Sequence, residues 1–349
     1  NDILTVTSGT GTVTFTGAIG ATEELGGLNV NASSGNGVIT FTSTIGDSGN
    51  AGVIGTTSIG NAATSDLNFN STIYKFDGAT TITAASGDTI DMGAGAATTF
   101  TTAADNITFA TGNIELANGS NLTVDTGAAG GNITIGEIGG TSVETVTLDA
   151  GTGTTSVGVI GSGTEIGALS IGSAEDGGIT LNGAITTDGV VTLDGPITLA
   201  TGAITIATAN DAINLQGTVD GGQSLTLSSG SAAITADGAI GSSTALTSLT
   251  VNASGAGTIE ITDIGTSSAA GVTGATAIGN TSTGTLTLDG TVYTTTGSQT
   301  YTAATGGGNI DITNTSGSTF TTTNTAIAFN TSGVDLVNNA TTTIDTGTG

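Results

Sequence analysis

The chain has 349 residues, of which 60 are Gly, 28 are Asp or Glu and one is Lys or Arg, and it contains no Cys, His or Trp. A formal net charge of −27 argues against nucleic acid as a partner, because neutralising phosphates needs Lys or Arg, and against polybasic attachment to anionic membranes. Without Cys there is no disulfide, and no apolar run approaches the ~18–20 residues of a membrane span.

The composition also excludes an ordinary globular core and a disordered chain. Aromatic residues make up 3% of the sequence and charged residues 8%, so a core built around aromatic anchors is not expected. Disorder requires low hydrophobicity and high charge, whereas the mean hydropathy here is +0.27. We therefore expect an ordered chain with an apolar interior of small side chains.

Short runs that alternate apolar and polar residues recur along the whole chain, and no helical spacing of apolar residues is convincing. Each run has two apolar residues on one face and Thr, Asn or Asp on the other, which is typical of a half-buried strand. The predicted strands lie at 3–7, 12–16, 38–42, 66–70, 80–83, 106–110, 121–125, 132–136, 145–149, 178–182, 190–194, 196–200, 203–207, 212–216, 224–228, 248–252, 258–262, 285–289 and 309–313.

The turns between these strands favour a solenoid over a β-sandwich. They are rich in Gly, nearly free of Pro, and seldom carry Asn-Gly hairpin signals between paired strands. The apolar residues of the runs are mostly Ile, Val, Leu and Ala, whereas a sandwich core uses bulky aromatic residues. We predict an all-β, rod-shaped parallel β-helix without helices, with two or three strands and roughly 20–30 residues per rung.

The chain also repeats itself at an offset of about 220 residues. Residues 223–241 match 2–20, residues 249–255 match 28–34, and residues 318–347 match 98–127. We therefore divide it into one full unit at 1–221 and part of a second at 222–349, continuous with the first. Because it starts and stops inside a period, we expect a window from a tandem array.

One Gly- and Ala-rich segment interrupts the regular strands in each copy. Residues 47–61 and 266–280 share about nine of fifteen positions, which predicts the same loop or irregular rung in both. The functional interpretation of these inserts is a lateral contact or a ligand-presenting ridge. The candidate residues are Asp47, Gly52, Gly55, Ile59 and Asn61 in the first insert, and Thr266, Gly271, Gly274, Ile278 and Asn280 in the second.

Two segments of the second copy resemble motifs of very large bacterial surface proteins of the filamentous haemagglutinin type. The segment DGTVYTTTGSQTYTAA (289–304) is similar to their Thr-x-Gly-x-Gln-x-Tyr motif, and residues 238–259 look like the segment that precedes it there. The resemblance implies a right-handed parallel β-helix that is exported to the cell surface, often by two-partner secretion, and works in adhesion or biofilm contact.

The first copy departs from this motif. Tyr74 stands at the first tyrosine position, but the positions of Gln299 and Tyr301 are Thr80 and Ile82. The resemblance therefore concerns spacing and composition over most of the chain, and it identifies no particular ligand.

The residues offer little for catalysis. A β-helical lyase needs a base and cations to stabilise its enolate, yet Lys75 is the only Lys or Arg. A hydrolase could use two carboxylates, but the adjacent pairs, Glu23–Glu24 and Glu175–Asp176, lie in turn-like segments and are not kept in the other copy. We expect no enzymatic activity and no cofactor.

Two further alternatives stay open from the sequence. Scattered carboxylates could bind calcium weakly, although neither an EF-hand loop nor the Gly-rich nonapeptide array is present. Abundant Thr-x-Thr runs could form an ice-binding face, although Asn, Asp and Ser interrupt them.

Together these features predict a structural segment of an extracellular fibre or adhesin that projects from or coats the cell surface and mediates adhesion, cell–cell contact or biofilm or sheath formation. The main alternative is a filament subunit that stacks end to end. The expected partners are copies of the chain itself, end to end or lateral, and ligands on a host, a neighbouring cell or a surface. We expect no insertion of this segment into a membrane.

Overall fold

The computed structural model of the chain describes residues 2–32, 37–172, 177–331, 333–336 and 341–347. The chain forms two compact units, residues 1–179 and 180–349. Every regular element of the described residues is a β-strand, and none is a helix, as the alternation predicts. The division predicted from the sequence period, 1–221 and 222–349, describes the sequence repeat, and it stays a prediction.

The strands of the first unit are short. They are β1 (Ile3–Ser8), β2 (Val13–Phe15), β3 (Gly27–Ala32), β4 (Gly37–Phe41), β5 (Thr57–Ile59), β6 (Thr64–Phe69), β7 (Ile73–Lys75), β8 (Thr80–Thr83), β9 (Thr89–Met92), β10 (Thr98–Thr101), β11 (Ile107–Thr111), β12 (Asn113–Leu116), β13 (Leu122–Asp125), β14 (Ile133–Gly139), β15 (Thr145–Asp149), β16 (Thr154–Ile160) and β17 (Ala168–Ile171).

One strand, β18 (Gly178–Leu181), lies at the division between the units. The strands of the second unit are β19 (Ile185–Thr187), β20 (Val191–Leu193), β21 (Ile197–Leu199), β22 (Ile204–Thr208), β23 (Ile213–Leu215), β24 (Val219–Asp220), β25 (Ser224–Ser228), β26 (Ile234–Ala236), β27 (Ser248–Asn252), β28 (Ile259–Ile261), β29 (Thr276–Ile278), β30 (Leu286–Leu288), β31 (Val292–Thr294), β32 (Gln299–Thr302), β33 (Ile310–Ile312), β34 (Ser318–Thr321), β35 (Ile327–Asn330), β36 (Val334–Leu336) and β37 (Thr342–Asp345).

The strands stack in parallel, one turn on the next. In the first unit β1, β3, β5, β8, β11, β14 and β16 pair in that order. In the second, β19, β22, β25, β27, β29, β32 and β35 do the same. The predicted parallel β-solenoid is therefore confirmed, with about 14 turns in the two units together. Its right-handedness stays a prediction.

The length of a turn varies within the predicted range. Ile204 pairs with Leu225, an advance of 21 residues, whereas Leu28 pairs with Thr57, an advance of 29. Within a strand, alternate side chains face inward, as in β3, where Leu28 and Val30 are buried and Asn29 is half-buried. The inward columns are mostly Ile, Val and Leu.

Aromatic residues form a column of their own in some turns. The rings of Phe15, Phe41 and Phe69 stack face to face, with centroids 5.0 and 5.3 Å apart, and Tyr74 stacks on Phe100 at 4.8 Å. The expectation of a core without aromatic anchors is therefore wrong for these turns. The few aromatics are concentrated because identical positions of successive turns lie directly over one another.

Side-chain amides also connect one turn to the next. The side-chain oxygen of Asn106 accepts a hydrogen bond from the backbone N–H of Asn132 at 2.8 Å, and the side-chain oxygen of Asn132 accepts one from Thr154 N–H at 2.9 Å. Such bonds satisfy backbone donors at the corners, where the strand ladder is interrupted. Asn and Thr side chains thus bond one rung to the next.

Glycines at the corners allow backbones to approach closely. A Cβ on Gly55 would lie 2.0 Å from the carbonyl oxygen of Gly26, and a Cβ on Gly78 would lie 2.3 Å from that of Gly55. In the second unit, a Cβ on Gly238 would lie 2.3 Å from the carbonyl oxygen of Gly217. No side chain fits between turns at these corners.

We predict that Gly55→Ala lowers the free energy of unfolding by about 1–3 kcal/mol, because the added methyl group forces two backbones apart. Gly17→Ala is the matched control, since nothing lies within 4 Å of a Cβ placed there. Its effect should stay within about 0.5 kcal/mol. Urea denaturation followed by circular dichroism measures both, and equal effects would contradict the close-approach argument.

Candidate functional site

The two copied inserts begin with the same turn. In the first, Asp47 Oδ1 accepts hydrogen bonds from the N–H groups of Gly49 and Asn50, both at 2.7 Å. These bonds, that of Asn50 first, hold the pKa of the Asp47 carboxyl below its usual value. In the second, Thr266 Oγ1 accepts the matching bonds, at 3.0 Å from Ala269 N–H. Residues 48–50 and 267–269 are the exposed tips of the two inserts.

Beyond the tips, each insert is an irregular rung that belongs to the stack. Ile59 and Ile278 are 0% exposed and lie in β5 and β29. The isolated bridges formed by Val53 and Val272 connect the inserts to the turns above and below. The structure therefore shows that neither insert is a loop that projects along its whole length.

The candidate glycines and asparagines of the inserts fix this rung. Added Cβ atoms on the four glycines would lie 2.0–2.5 Å from backbone atoms of other residues: Gly52 at 2.3 Å, Gly271 at 2.2 Å, Gly55 at 2.0 Å and Gly274 at 2.5 Å. Asn61 Nδ2 donates to the carbonyl oxygen of Ala32 at 2.7 Å, and Asn280 Nδ2 points to that of Ala253 at 3.5 Å. A lateral contact through the inserts stays a prediction; besides the tips, Thr56, Thr273 and Ala275 are exposed and accessible for it.

The motif that carries the family resemblance forms a buried polar network in the second copy. Gln299 Nε2 donates to the carbonyl oxygens of Tyr293 at 2.7 Å and Thr321 at 2.9 Å, and lies 3.1 Å from Thr295 Oγ1. The hydroxyl of Tyr301 donates to Gln299 Oε1 at 3.0 Å. Burial raises the pKa of both tyrosines well above the usual value.

The first copy lacks this network, because Thr80 stands where the second copy has Gln299, and its hydroxyl donates to the carbonyl oxygen of Gly78 at 3.1 Å. Phe76 and Ile82 stand where the second copy has Thr295 and Tyr301, and Tyr74, with its hydroxyl accepting from Ser71 N–H at 2.9 Å, is the shared tyrosine. All three tyrosines of the chain are 0% exposed, so none presents its ring to a sugar. The motif fixes the packing of its own turn.

We predict that Gln299→Leu lowers the free energy of unfolding by about 1–3 kcal/mol, because the Tyr301 hydroxyl and the carbonyl oxygens of Tyr293 and Thr321 lose their buried partner. Gln223→Leu, at a half-buried position, is the control and should change little. Denaturation curves of the parent and the two variants measure both effects. If Gln299→Leu leaves the free energy of unfolding unchanged, the network contributes no stability.

A cluster of carboxylates lies on one outer face of the first unit. Asp91 pairs in register with Glu115 in the next turn, and Asp66 and Glu137 lie nearby in β6 and β14. Burial, and then the charge of Asp66, raises the pKa of Asp91, while a hydrogen bond from the Thr89 hydroxyl opposes this. Burial, and then the charges of Asp91 and Glu137, raises the pKa of Glu115. The fold therefore holds these carboxylates close together despite the repulsion between their charges.

The carboxylate of Glu144 lies in an environment that lowers its pKa, in contrast to Asp91 and Glu115. The sequence analysis did not identify this residue. Glu144 is buried, and its oxygens accept hydrogen bonds from the N–H of Thr141 at 2.6 Å, the hydroxyl of Thr141 at 2.5 Å and the N–H of Gly119 at 3.2 Å. Burial raises the pKa of Glu144, but these hydrogen bonds outweigh it and leave the pKa lowered. The Thr-x-x-Glu spacing, typical of a capping box, is the signal that could have found it.

These two environments predict opposite pH dependences. The stabilisation by Glu115 is present below its unfolded pKa, about 4.3, and is lost as the pH rises through its raised folded pKa. The stabilisation by Glu144 is present above about pH 4.3 and is lost as the pH falls through its lowered folded pKa.

We therefore expect Glu115→Gln to raise the melting temperature at pH 7 and to have a smaller effect near pH 4. Glu144→Gln should lower the melting temperature at pH 7, with the loss shrinking toward pH 3. Melting curves of both variants and the parent from pH 3 to 8 give the comparison. The assignment is wrong if the two variants shift in the same direction at pH 7.

The other sequence candidates do not converge on one place. Glu23 and Glu24 are exposed and lie outside the strands, and the pair Glu175–Asp176 lies outside the described residues. Lys75 lies in β7, where its charge adds a small lowering to the pKa of Asp47. Within the residues that the structure describes, no three His, Cys, Asp or Glu side chains are grouped as a metal site would require.

The outward threonines form interrupted columns. In the first unit Thr81, Thr108 and Thr134 follow one another in register, but the column continues into Ser58 and Ser156 at its ends. In the second unit the run from Thr205 to Thr250 ends at Ala277. The described strands thus show no long, uninterrupted threonine face of the kind that ice binding would favour.

Comparisons of the chain with protein-family models, with curated proteins and with solved structures each gave no match. Among the described residues, no helix has the length and apolar character to cross a membrane.

Proposed function

We propose that the chain is a structural segment of an extracellular fibre or adhesin, in which a repeating β-solenoid projects from or coats a cell and brings surfaces into contact. The observation that carries the proposal is the recurrence of one irregular rung. Ile45 bridges to Tyr74 in the first copy, and Ile264 bridges to Tyr293 in the second, 219 residues further along the chain. A stack that reproduces such detail is suited to extension by repetition.

The charge pattern supports a role outside the cell. With 28 acidic residues and one basic residue, the surface repels other acidic macromolecules and offers trypsin-like proteases a single Lys or Arg. The resemblance of residues 289–304 to a motif of large bacterial surface proteins adds adhesion or biofilm contact as the activity. The partners in this proposal are copies of the chain and ligands on a host, a neighbouring cell or a surface.

A filament subunit that assembles end to end is the second candidate function. It is favoured by apolar side chains of the second unit that remain exposed, Val334, Leu336 and Ile344. In both cases the chain acts by its length and surface.

We predict that trypsin cuts the native chain very slowly. Its one target follows Lys75, whose N–H donates to the carbonyl oxygen of Ile45 and whose carbonyl oxygen accepts from Gly52 N–H, each at 2.8 Å. Local opening must break both bonds before the peptide can enter a protease. Intact mass after digestion should show the full chain under native conditions and two fragments after unfolding; rapid native cleavage would contradict this.

The proposed function is tested by removing one period from the gene in its native cell. Deleting 48–266 joins Asp47 to Ser267, so the two inserts become one and the order of turns is preserved. We expect intact cells still to be labelled by an antibody to the chain, with the surface projection shorter by about 40–50 Å, given a strand spacing of ~4.8 Å. Deleting 48–156 is the control, because it joins unlike turns and should abolish display.

Two results would overturn the proposal. One is an antibody signal that appears only after the cells are lysed. The other is unchanged adhesion to surfaces and to other cells when the whole gene is removed.

A further inference from the structure

An apolar surface in the second unit is left uncovered. Val334 is 43% exposed, and Leu336 and Ile344 are each 55% exposed. Together with Ile312 and Phe329 they line an open pocket of about 390 Å³. Exposed apolar clusters of this kind mark interaction surfaces.

The backbone beside this surface also has a free side. Strands β35, β36 and β37 pair with β32, β33 and β34. Among the described residues, no strand pairs with their opposite edges. Such edges present unpaired N–H and C=O groups and template the addition of another strand.

The first copy shows what covers the same positions. Residues 318–347 repeat 98–127, so β35, β36 and β37 correspond to β11, β12 and β13. There, the residues that match the three exposed ones are Ile114, Leu116 and Val124, none more than 2% exposed. Strand β14 pairs with both β11 and β12, and β15 pairs with β13.

We propose that the uncovered surface binds one further rung of the same repeat, a second copy of the sequence at residues 132–149. This inference rests on the proposed function of a repeating stack and names the partner of its open face. In the first copy Ile133 lies over Ile107, Ile138 over Ile114 and Leu148 over Val124. The second copy offers an apolar residue for each: Ile327, Val334 and Ile344.

The charges of the two surfaces are compatible at the acidic position of β36. In the first copy Gly139 pairs with Glu115, and a Cβ on Gly139 would lie 2.9 Å from Glu115 Oε2. The glycine leaves room for the carboxylate and adds no charge. The same glycine would lie over Asp335, the counterpart of Glu115 in the second copy.

The test extends the chain after residue 347 with a copy of residues 128–172, which continues the repeat in frame. Hydrogen exchange of segments 334–336 and 342–345, read by mass spectrometry, should slow at least ten-fold, and the fluorescence of an added apolar dye should fall. The control carries the same extension with the copies of Ile133, Ile138 and Leu148 changed to Ser. It should exchange at the rate of the parent chain.

Leu336→Asp supplies a second check. In the parent chain it should change little, because the side chain is exposed, whereas in the extended chain it should cancel the slowing of exchange. The proposal is overturned if the extension leaves exchange unchanged, or if the Ser control slows it equally. Because the purified chain is used, either outcome is independent of whether cells display the protein.

Discussion

The fold depends on the close approach of one backbone turn to the next. At the corners the carbonyl oxygen of one turn lies where the next turn would carry a Cβ, as at Gly26 and Gly55. This contact keeps successive turns in register and lets each strand pair in parallel with its equivalents. The inward columns of Ile, Val and Leu bury apolar area, but it is the glycine corners that allow the columns to form.

Register has a consequence for every residue type, because each side chain meets its equivalents in neighbouring turns. For amides this is favourable, since Asn106 and Asn132 each accept a backbone hydrogen bond from the turn that follows. For the rings of Phe15 and Phe41 it produces face-to-face stacking. For carboxylates it is costly, since Asp91 and Glu115 are brought together with no basic residue to offset them.

The sequence was sufficient to predict the structural elements that alternation and spacing of apolar residues define. The strands, their parallel stacking and the length of a turn follow from apolar pairs separated by Gly-rich turns. The composition of the column at Phe41 could not be predicted, because turns advance by 21 to 29 residues and a register between distant residues depends on each intervening loop. The pairing of Asp91 with Glu115 was missed for the same reason.

The candidate site was predicted less well than the fold. The copying of residues 47–61 located a recurrent feature, but burial of Ile59 and of Gly52 is a property of the assembled turns and has no local signal. The network of Gln299 and Tyr301 was recognised as a motif, yet the partners of Gln299 lie on three other residues, one of them 22 positions away.

The two exposed tips at 48–50 and 267–269 have the same turn and differ in charge, because one begins with Asp47 and the other with Thr266. In the proposed role in attachment, a ligand that touches a single tip gains little, whereas a partner that itself repeats engages several tips at once. The second contact then forms at a high effective concentration, so weak individual contacts combine into strong attachment. Repetition of the solenoid would in this way supply avidity, and small differences between the tips would set which repeating surfaces are held.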